Sequence, residues 1–222
     1  MDRPETDRAL LREELQTLES FNQRLGEHRL VLRYVKRFVG SAETASLSIL
    51  DLGTGAADIP RAIVAWARQR QLPIVITAVD GNPEVLEIAQ ELCRGWPEIR
   101  FGQHDLRALP YAGASFDLVL CSQTLHHFES TDAVTILRHI DALARRGYIV
   151  NDLHRNWLAI ASMKLLVHTL VRSPLFRKDA LQSFRAAFTV GELRGLAEQA
   201  GLNNFQVNRH DSFFRMVLEG RK

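Results

Sequence analysis

The sequence predicts an α/β fold in which helices cover a mostly parallel sheet. Short apolar runs that suit buried strands alternate with segments whose apolar residues recur at helical spacing. This alternation is typical of βαβ units, in which a helix connects two parallel strands. The 222 residues are 46% apolar and 24% charged, which is the ordinary range for a globular domain. We therefore predict a single domain over residues 1–222.

The first 40 residues predict two helices, which we expect to form an N-terminal helical lid (1–40). Two apolar series fall at helical spacing on either side of Gly26. They are Leu11, Leu15, Leu18 and Phe21, and then Val31, Tyr34, Val35 and Phe38.

Five strands are predicted after residue 46, separated by helical segments. They lie in SLSILDLG, IVITAV, the stretch around residues 99–101, FDLVLC and GYIVND. Residues 153–187 then break the pattern and predict a largely apolar helical insertion, interrupted at Ser173-Pro174. A capping box from Thr189 to Glu192 begins the last helix, which ends at Gly201. FQV and FFRMVL predict a closing pair of strands.

Charge and composition argue against several other classes of protein. The formal net charge is +2, and the basic residues are scattered among acids, so no nucleic-acid partner is expected. No metal site is expected either, because the histidines lack other ligands at metal-binding spacing. Residues 1–14 show no signal-peptide pattern and no run reaches the length of a membrane span. We expect a cytoplasmic protein, monomeric or homodimeric, without stable membrane insertion.

The segment ILDLGTGAADIP provides a glycine-rich turn between a strand and a helix. Ligands bind at the carboxyl ends of strands in open α/β sheets, and Gly53 and Gly55 let the backbone approach a ligand closely there. Asp58 stands where a dinucleotide fingerprint has its third glycine. A carboxylate there disfavours a pyrophosphate but is compatible with a cationic or zwitterionic ligand.

Two further acids follow the next two strands. Asp80 ends the second strand, where a carboxylate can accept both hydroxyls of a ribose. This feature is shared by folds that bind nicotinamide dinucleotides and folds that bind S-adenosylmethionine (SAM). Asp105 follows the third strand, where the exocyclic amine of an adenine would need an acceptor. The segment FDLVLCSQTLHHF contains the fourth strand, and the end of this strand would face the reactive side of such a cofactor.

LDLGTG, VDGNP, HDLRALPY and FDLVLCSQTLHHF together resemble the ordered motifs of the class I SAM-dependent methyltransferase family. The resemblance covers about residues 47–151, with the closing helix and strands matching more loosely. It implies a Rossmann-like three-layer sandwich, with a mostly parallel seven-stranded sheet whose last strand is antiparallel. VNDLHR, the apolar insertion and FRAAFTVGEL further resemble a bacterial subgroup associated with polyketide or quinone-like products of secondary metabolism.

The resemblance implies roles for twelve cofactor-binding residues. Gly53, Thr54 and Gly55 would line the methionine and ribose portion, with Asp58 beside them and Asp51 near the methionine ammonium. Asp80 would bind the ribose hydroxyls, while Gly81, Asn82, Asp105 and Leu106 would surround the adenine. Ser122 and Gln123 would lie beneath the methionine carboxylate and the sulfonium.

The implied reaction is methyl transfer to a small hydrophobic or aromatic acceptor. We expect methylation at oxygen, with methylation at carbon as the second candidate. A hydroxyl acceptor would need a base, because a phenol is mostly protonated at neutral pH. His126, His127 and His154 are the candidate catalytic residues, since histidine titrates near neutrality. Each of them could instead be structural, packed or capping a helix.

Three other functions stay open at this point. An RNA or protein methyltransferase would need a basic patch, for which 172–185 is the one candidate segment. The chain has SQTL where amino-methylating families have an Asn/Asp-Pro-Pro-aromatic tetrad. A SAM-binding partner protein that does not methylate is compatible with the same motifs. A nicotinamide oxidoreductase is disfavoured by Asp58.

Overall fold

A seven-stranded sheet forms the centre of the molecule. The computed structural model describes residues 8–40, 46–156, 174–211 and 214–222. The strands are β1 (Leu47–Leu52), β2 (Ile74–Asp80), β3 (Ile99–Gln103), β4 (Phe116–Ser122), β5 (Ala144–Leu153), β6 (Phe205–His210) and β7 (Arg215–Arg221). Their order in the sheet is β3-β2-β1-β4-β5-β7-β6.

The direction of the strands confirms the predicted topology. β1 pairs in parallel with β2 and β4, and the same direction continues outward to β3 and β5. β7 runs antiparallel to both of its neighbours, β5 and β6. The chain order reverses at β1, which lies between β2 and β4. A crevice at the carboxyl ends of β1 and β4 is where such sheets bind ligands.

Helices cover both faces of the sheet, which confirms the three-layer architecture. They are α1 (Arg8–Arg24), α2 (Glu27–Val39), α3 (Asp58–Gln69), α4 (Pro83–Leu92), α5 (Ser130–Leu143), α6 (Pro174–Ala186) and α7 (Val190–Gln199), with a short 3₁₀ turn at Leu125–His127. One apolar core lies between the sheet and α2, α3 and α4. A second core lies on the opposite face, against α5 and α7.

The predicted helix ends are also confirmed. The Asn82 side chain accepts hydrogen bonds from the backbone N–H groups of residues 84 and 85, directly before Pro83. Thr189 and Glu192 form the reciprocal capping box that begins α7. Gly201 adopts φ +79° just after that helix, a conformation that favours glycine.

Helix α1 lies across the carboxyl edge of the sheet. Its Leu11 and Leu15 pack against Ala56, after the glycine turn, and against the apolar face of α4. Arg8 and Arg12 form ion pairs with Glu91 on α4. The two N-terminal helices are therefore as predicted, whereas their action as a lid stays a prediction.

Of the predicted insertion, the structure describes residues 153–156 and 174–187. Helix α6 begins at Pro174, as expected where proline occupies the first helical position; residues 157–173 lie outside the described residues. Phe184 and Ala187 pack with Leu18 and Phe21 of α1. Across the described ranges, no helix combines the length and the apolar character needed to cross a membrane.

Candidate active site

A cavity of about 720 Å³ opens at the carboxyl ends of β1, β2 and β4. All twelve residues predicted to bind the cofactor line it: Asp51, Gly53, Thr54, Gly55, Asp58, Asp80, Gly81, Asn82, Asp105, Leu106, Ser122 and Gln123. Leu15, Leu18, Glu19 and Asn22 of α1 close one side. The volume lies within the range of about 300–1,000 Å³ that is usual for small-ligand sites.

The glycine turn brings the backbone to the floor of this cavity. Gly53 adopts φ +70°, and a Cβ there would lie 2.3 Å from Thr124 Oγ1, so only glycine fits without a shift of Thr124. Gly55 adopts φ +54° and faces open space. Both conformations are costly for residues with a side chain. At Gly53 the turn therefore allows close contact with Thr124, and at Gly55 it leaves open space that a ligand can occupy.

Asp80 is held in one orientation by two backbone donors. Gly55 N donates to Oδ2 at 3.0 Å and Asn82 N donates to Oδ1 at 3.0 Å. Because each carboxylate oxygen can accept two hydrogen bonds, one backbone donor does not by itself saturate either oxygen. The carboxylate thus suits a pair of vicinal hydroxyls and simultaneously fixes the glycine turn.

Asp51 is a buried carboxyl with few compensating partners. Burial raises its pKa to about 7, with the nearby Thr54 hydroxyl opposing the change and the negative charges of Asp58 and Asp80 adding to it. Asp51 is only 3% exposed. Since a cation nearby would favour the ionised form, Asp51 suits the ammonium of a zwitterionic ligand.

Arg107 and His28 are polar neighbours of the site that the sequence analysis missed. Arg107 Nη2 lies 2.7 Å from Asp105 Oδ2, and its bonds to Asp105 lower the pKa of that carboxyl. His28 Nε2 lies 2.7 Å from Asp58 Oδ2. Burial lowers the pKa of His28, but Asp58 and other carboxylates outweigh this effect and raise it.

The three candidate histidines occupy different environments. His127 lines the cavity. His126 is buried, and its Nδ1 lies 2.6 Å from Asp152 Oδ1, while its backbone N donates to Asp152 Oδ2. The two histidine rings lie 4.2 Å apart. His154 is buried, and its Nδ1 lies 3.1 Å from Nδ2 of Asn156. It does not line the cavity.

Asp152 holds the 3₁₀ turn that presents His127. Burial raises the pKa of Asp152, but His126 and the backbone N–H groups of His126 and Leu153 outweigh it, so that the pKa lies below its usual value. The carboxylate is therefore an ionised anchor beneath the turn. It restricts the position of the His127 ring through the neighbouring ring of His126, which is tilted by 37° relative to it.

Asn22 is a further cavity residue that the sequence analysis missed, although the sequence carried a signal. It continues the series of Leu11, Leu15 and Leu18 at helical spacing, and it is 5% exposed. A polar residue on the apolar face of a predicted helix must find a partner or line a site. Its amide oxygen accepts a hydrogen bond from Gln123 Nε2 at 2.9 Å.

The part of the chain that the structure describes contains no group of three or more histidine, cysteine, aspartate or glutamate side chains placed to bind a metal. The prediction that the protein needs no metal stays a prediction. The residues present do fit SAM: a desolvated carboxyl at Asp51, a fixed carboxylate at Asp80 and a glycine turn facing open space. Ser122 adds a buried hydroxyl oxygen without a hydrogen-bond partner.

Comparison with known protein families identifies the domain to which this cavity belongs. Residues 49–147 match a family model described as a methyltransferase domain. Residues 49–147 therefore belong to a class I SAM-dependent methyltransferase domain. The motif-based recognition is thereby confirmed, and SAM is the cofactor of this methyltransferase domain. The matched residues include most of β1, all of β2 to β4 and the glycine turn.

The methyltransferase domain has one curated relative of note and many structural neighbours. An uncharacterized methyltransferase, YcgJ of Bacillus subtilis, is 29% identical over 82 residues, which are 36% of this chain and 30% of the relative. The match thus spans less than a third of that relative's length. A crystal structure described as a putative O-methyltransferase from Nostoc punctiforme aligns at 20% identity with a TM-score of 0.67, covering 96% of this chain and 60% of the other.

Human N-acetylserotonin methyltransferase in complex with SAM aligns at 18% identity with a TM-score of 0.68. The alignment covers 97% of this chain and 56% of the human chain. At these identities the two structures support the fold of the methyltransferase domain. They leave its acceptor to be argued from the cavity.

Proposed function

We propose that this protein transfers the methyl group of SAM to an oxygen of a small, hydrophobic or aromatic acceptor. The observation that carries the proposal is the division of the cavity wall. Acids and glycines lie at the ends of β1 and β2, whereas Leu15, Leu18 and Phe128 supply apolar surface on other parts of the wall. An apolar wall next to the reacting position suits an acceptor with little charge.

The polar side of the cavity positions the cofactor. Asp80 would accept the ribose hydroxyls, Asp51 would face the methionine ammonium, and Leu106 would pack on the adenine. When bound, SAM supplies an electrophilic methyl group. Because such a displacement needs little covalent help, alignment of the two substrates supplies much of the rate.

His127 is the residue best placed to act as the base. Of the three candidate histidines, it alone lines the cavity. As the acceptor oxygen takes the methyl carbon, the hydroxyl proton would pass to a ring nitrogen of His127. The Asp152–His126 pair would hold that ring in place, so His126 is a positioning residue in this proposal.

The names of two neighbours support a small acceptor. One is described as a putative O-methyltransferase and the other as N-acetylserotonin methyltransferase. The sequence motifs shared with a bacterial subgroup extend the proposal to polyketide or quinone-like acceptors of secondary metabolism. Carbon methylation, a monomeric or homodimeric state and a cytoplasmic location remain predictions from the sequence.

A turnover assay tests this proposal. The purified protein would be incubated with SAM and, separately, with simple phenols and hydroquinones, bulk RNA, and a mixture of basic peptides. We expect release of S-adenosylhomocysteine with one or more of the small aromatic hydroxyl compounds and methyl incorporation at oxygen. Methyl incorporation into RNA or peptide instead would overturn it, and methylation at carbon would move the assignment to the second candidate.

A further inference from the structure

A buried polar chain runs from α2 to the cavity wall; we call it the Arg215 network. Arg215 Nε donates to Glu27 Oε2 at 2.6 Å, and its Nη2 donates to Gln123 Oε1 at 2.9 Å. Gln123 Nε2 then donates to Asn22 Oδ1 at 2.9 Å. Asn151 donates to the second oxygen of Glu27. The side chains of Glu27 and Arg215 are 0% and 3% exposed.

This network fixes which way each amide points. Arginine has no acceptor, so the oxygen of Gln123 must face Arg215 and its nitrogen must face away from it. That nitrogen is a donor, so Asn22 must turn its oxygen toward Gln123. The Asn22 amide nitrogen is thereby left over as a donor. The buried ion pair thus settles an orientation that an isolated amide would leave free.

The leftover donor belongs to a residue of the cavity wall. Asn22 lines the cavity wall, and its Nδ2 forms no hydrogen bond with any described residue. A nearly buried amide that presents two N–H bonds to a cavity is matched by an oxygen acceptor on the ligand.

The position of this donor indicates which oxygen it meets. Gln123 follows β4, and Asp80 ends β2, with β1 between them. Two strand spacings separate these ends by about 10 Å, a span that the chain from the ribose to the carboxylate of SAM can bridge. A carboxylate would also avoid Asp51, Asp58 and Asp80, which lie at the ends of β1 and β2 or just beyond them.

We propose that Asn22 donates a hydrogen bond to the methionine carboxylate of the cofactor, and that Glu27, Arg215 and Gln123 are positioning residues for it. The inference rests on the proposed function, in which SAM is the methyl donor. It adds a contact from the N-terminal helices to the Ser122 and Gln123 positions predicted from the sequence. It also gives the buried ion pair a role, because such a pair contributes little net stability on its own.

Binding of two nucleosides tests this inference without an acceptor. S-adenosylhomocysteine and 5′-methylthioadenosine share the nucleoside and the sulfur, but the second lacks the amino-acid portion. Their dissociation constants would be measured by calorimetry on the full chain and on Asn22→Asp, which keeps the oxygen facing Gln123 and replaces the donor. We expect S-adenosylhomocysteine to bind about 10- to 100-fold more weakly to the variant, with 5′-methylthioadenosine unchanged within about 2-fold.

Three further variants sharpen the result. Gln16→Glu adds the same charge at an exposed position of α1 and should leave both constants unchanged. If a buried aspartate prevents folding, Asn22→Ala removes the donor without adding charge and should weaken S-adenosylhomocysteine selectively. Gln123→Leu should reduce the factor by which S-adenosylhomocysteine binds more tightly than 5′-methylthioadenosine. A merely structural role of Gln123 would leave this factor constant.

The outcomes separate this inference from the proposed function. Equal weakening of both nucleosides, or no weakening by Asn22→Asp, would overturn the carboxylate contact while leaving the cofactor assignment intact. Failure of the wild-type protein to bind S-adenosylhomocysteine would overturn the use of SAM, and the inference with it.

Discussion

Substitution of Asp51 by asparagine should stabilise the free protein at alkaline pH. Asp51 has a pKa of about 7 in the folded protein, against 3.8 for a free aspartate side chain. The folded state therefore binds the proton more tightly than the unfolded state, and stability falls as pH rises from about 4 to about 7. At 1.36 kcal/mol for each pKa unit, the ionised carboxylate costs about 4 kcal/mol above pH 7.

Asp51→Asn removes this cost, because asparagine does not ionise. For a domain of this size, 1 kcal/mol corresponds to about 2–4 °C in Tm. The variant should therefore melt up to about 8–16 °C above the wild type at pH 8, with the difference shrinking toward pH 4. Taking the difference between the two proteins cancels the titration of all groups that they share.

Ligand binding should respond in the opposite direction. The methionine ammonium would stabilise ionised Asp51, so the variant should bind S-adenosylhomocysteine more weakly, by about 1.5–3 kcal/mol. In the wild type, affinity should rise from pH 6 to pH 8, and calorimetry in buffers of different ionisation enthalpy should show proton release. A variant with wild-type stability at pH 8 and a parallel pH profile would refute this reasoning.

Three more predictions concern the turn, the base and its anchor. Gly55→Ala should lower the free energy of unfolding by about 1–2 kcal/mol because of the positive φ at this position. Gly53→Ala should lower it clearly more, because its Cβ would also meet Thr124. Equal losses of stability in thermal melts would contradict the geometry. His127→Ala should reduce turnover of a hydroxyl acceptor by about 10²- to 10⁴-fold while S-adenosylhomocysteine affinity stays within about 2-fold, and unchanged turnover would remove it as the base. Asp152→Asn should lower the free energy of unfolding by about 3–5 kcal/mol in urea, and a loss below about 1 kcal/mol would show that the buried pair is not an anchor.

Most of the fold could be predicted because its signals are local. Asn82 and Pro83, the capping box at Thr189 and Gly201 each determine a helix end through neighbouring residues. The buried strands were visible as apolar runs. The order of strands in the sheet is not a local property, and the family resemblance supplied it.

The cavity could be predicted in part, for a related reason. Gly53, Asp80 and the other predicted cofactor residues follow strand ends, and parallel strands bring those ends together. The Arg215 network joins residues as far apart in sequence as Glu27 and Arg215, so no spacing rule could reveal it. The environments of His126 and His127 are also invisible in sequence, because adjacent residues of a 3₁₀ turn face different surroundings.

The most direct test of the central claim is a thermal melt with S-adenosylhomocysteine, run beside NAD and an Asp80→Ala variant. At 100 times its dissociation constant, a ligand stabilises the folded state by about 2.7 kcal/mol, which corresponds to roughly 5–11 °C here. We expect this shift with S-adenosylhomocysteine alone and its loss in the variant. No shift with folded protein, or a shift with NAD instead, would contradict the assignment of a SAM-dependent methyltransferase.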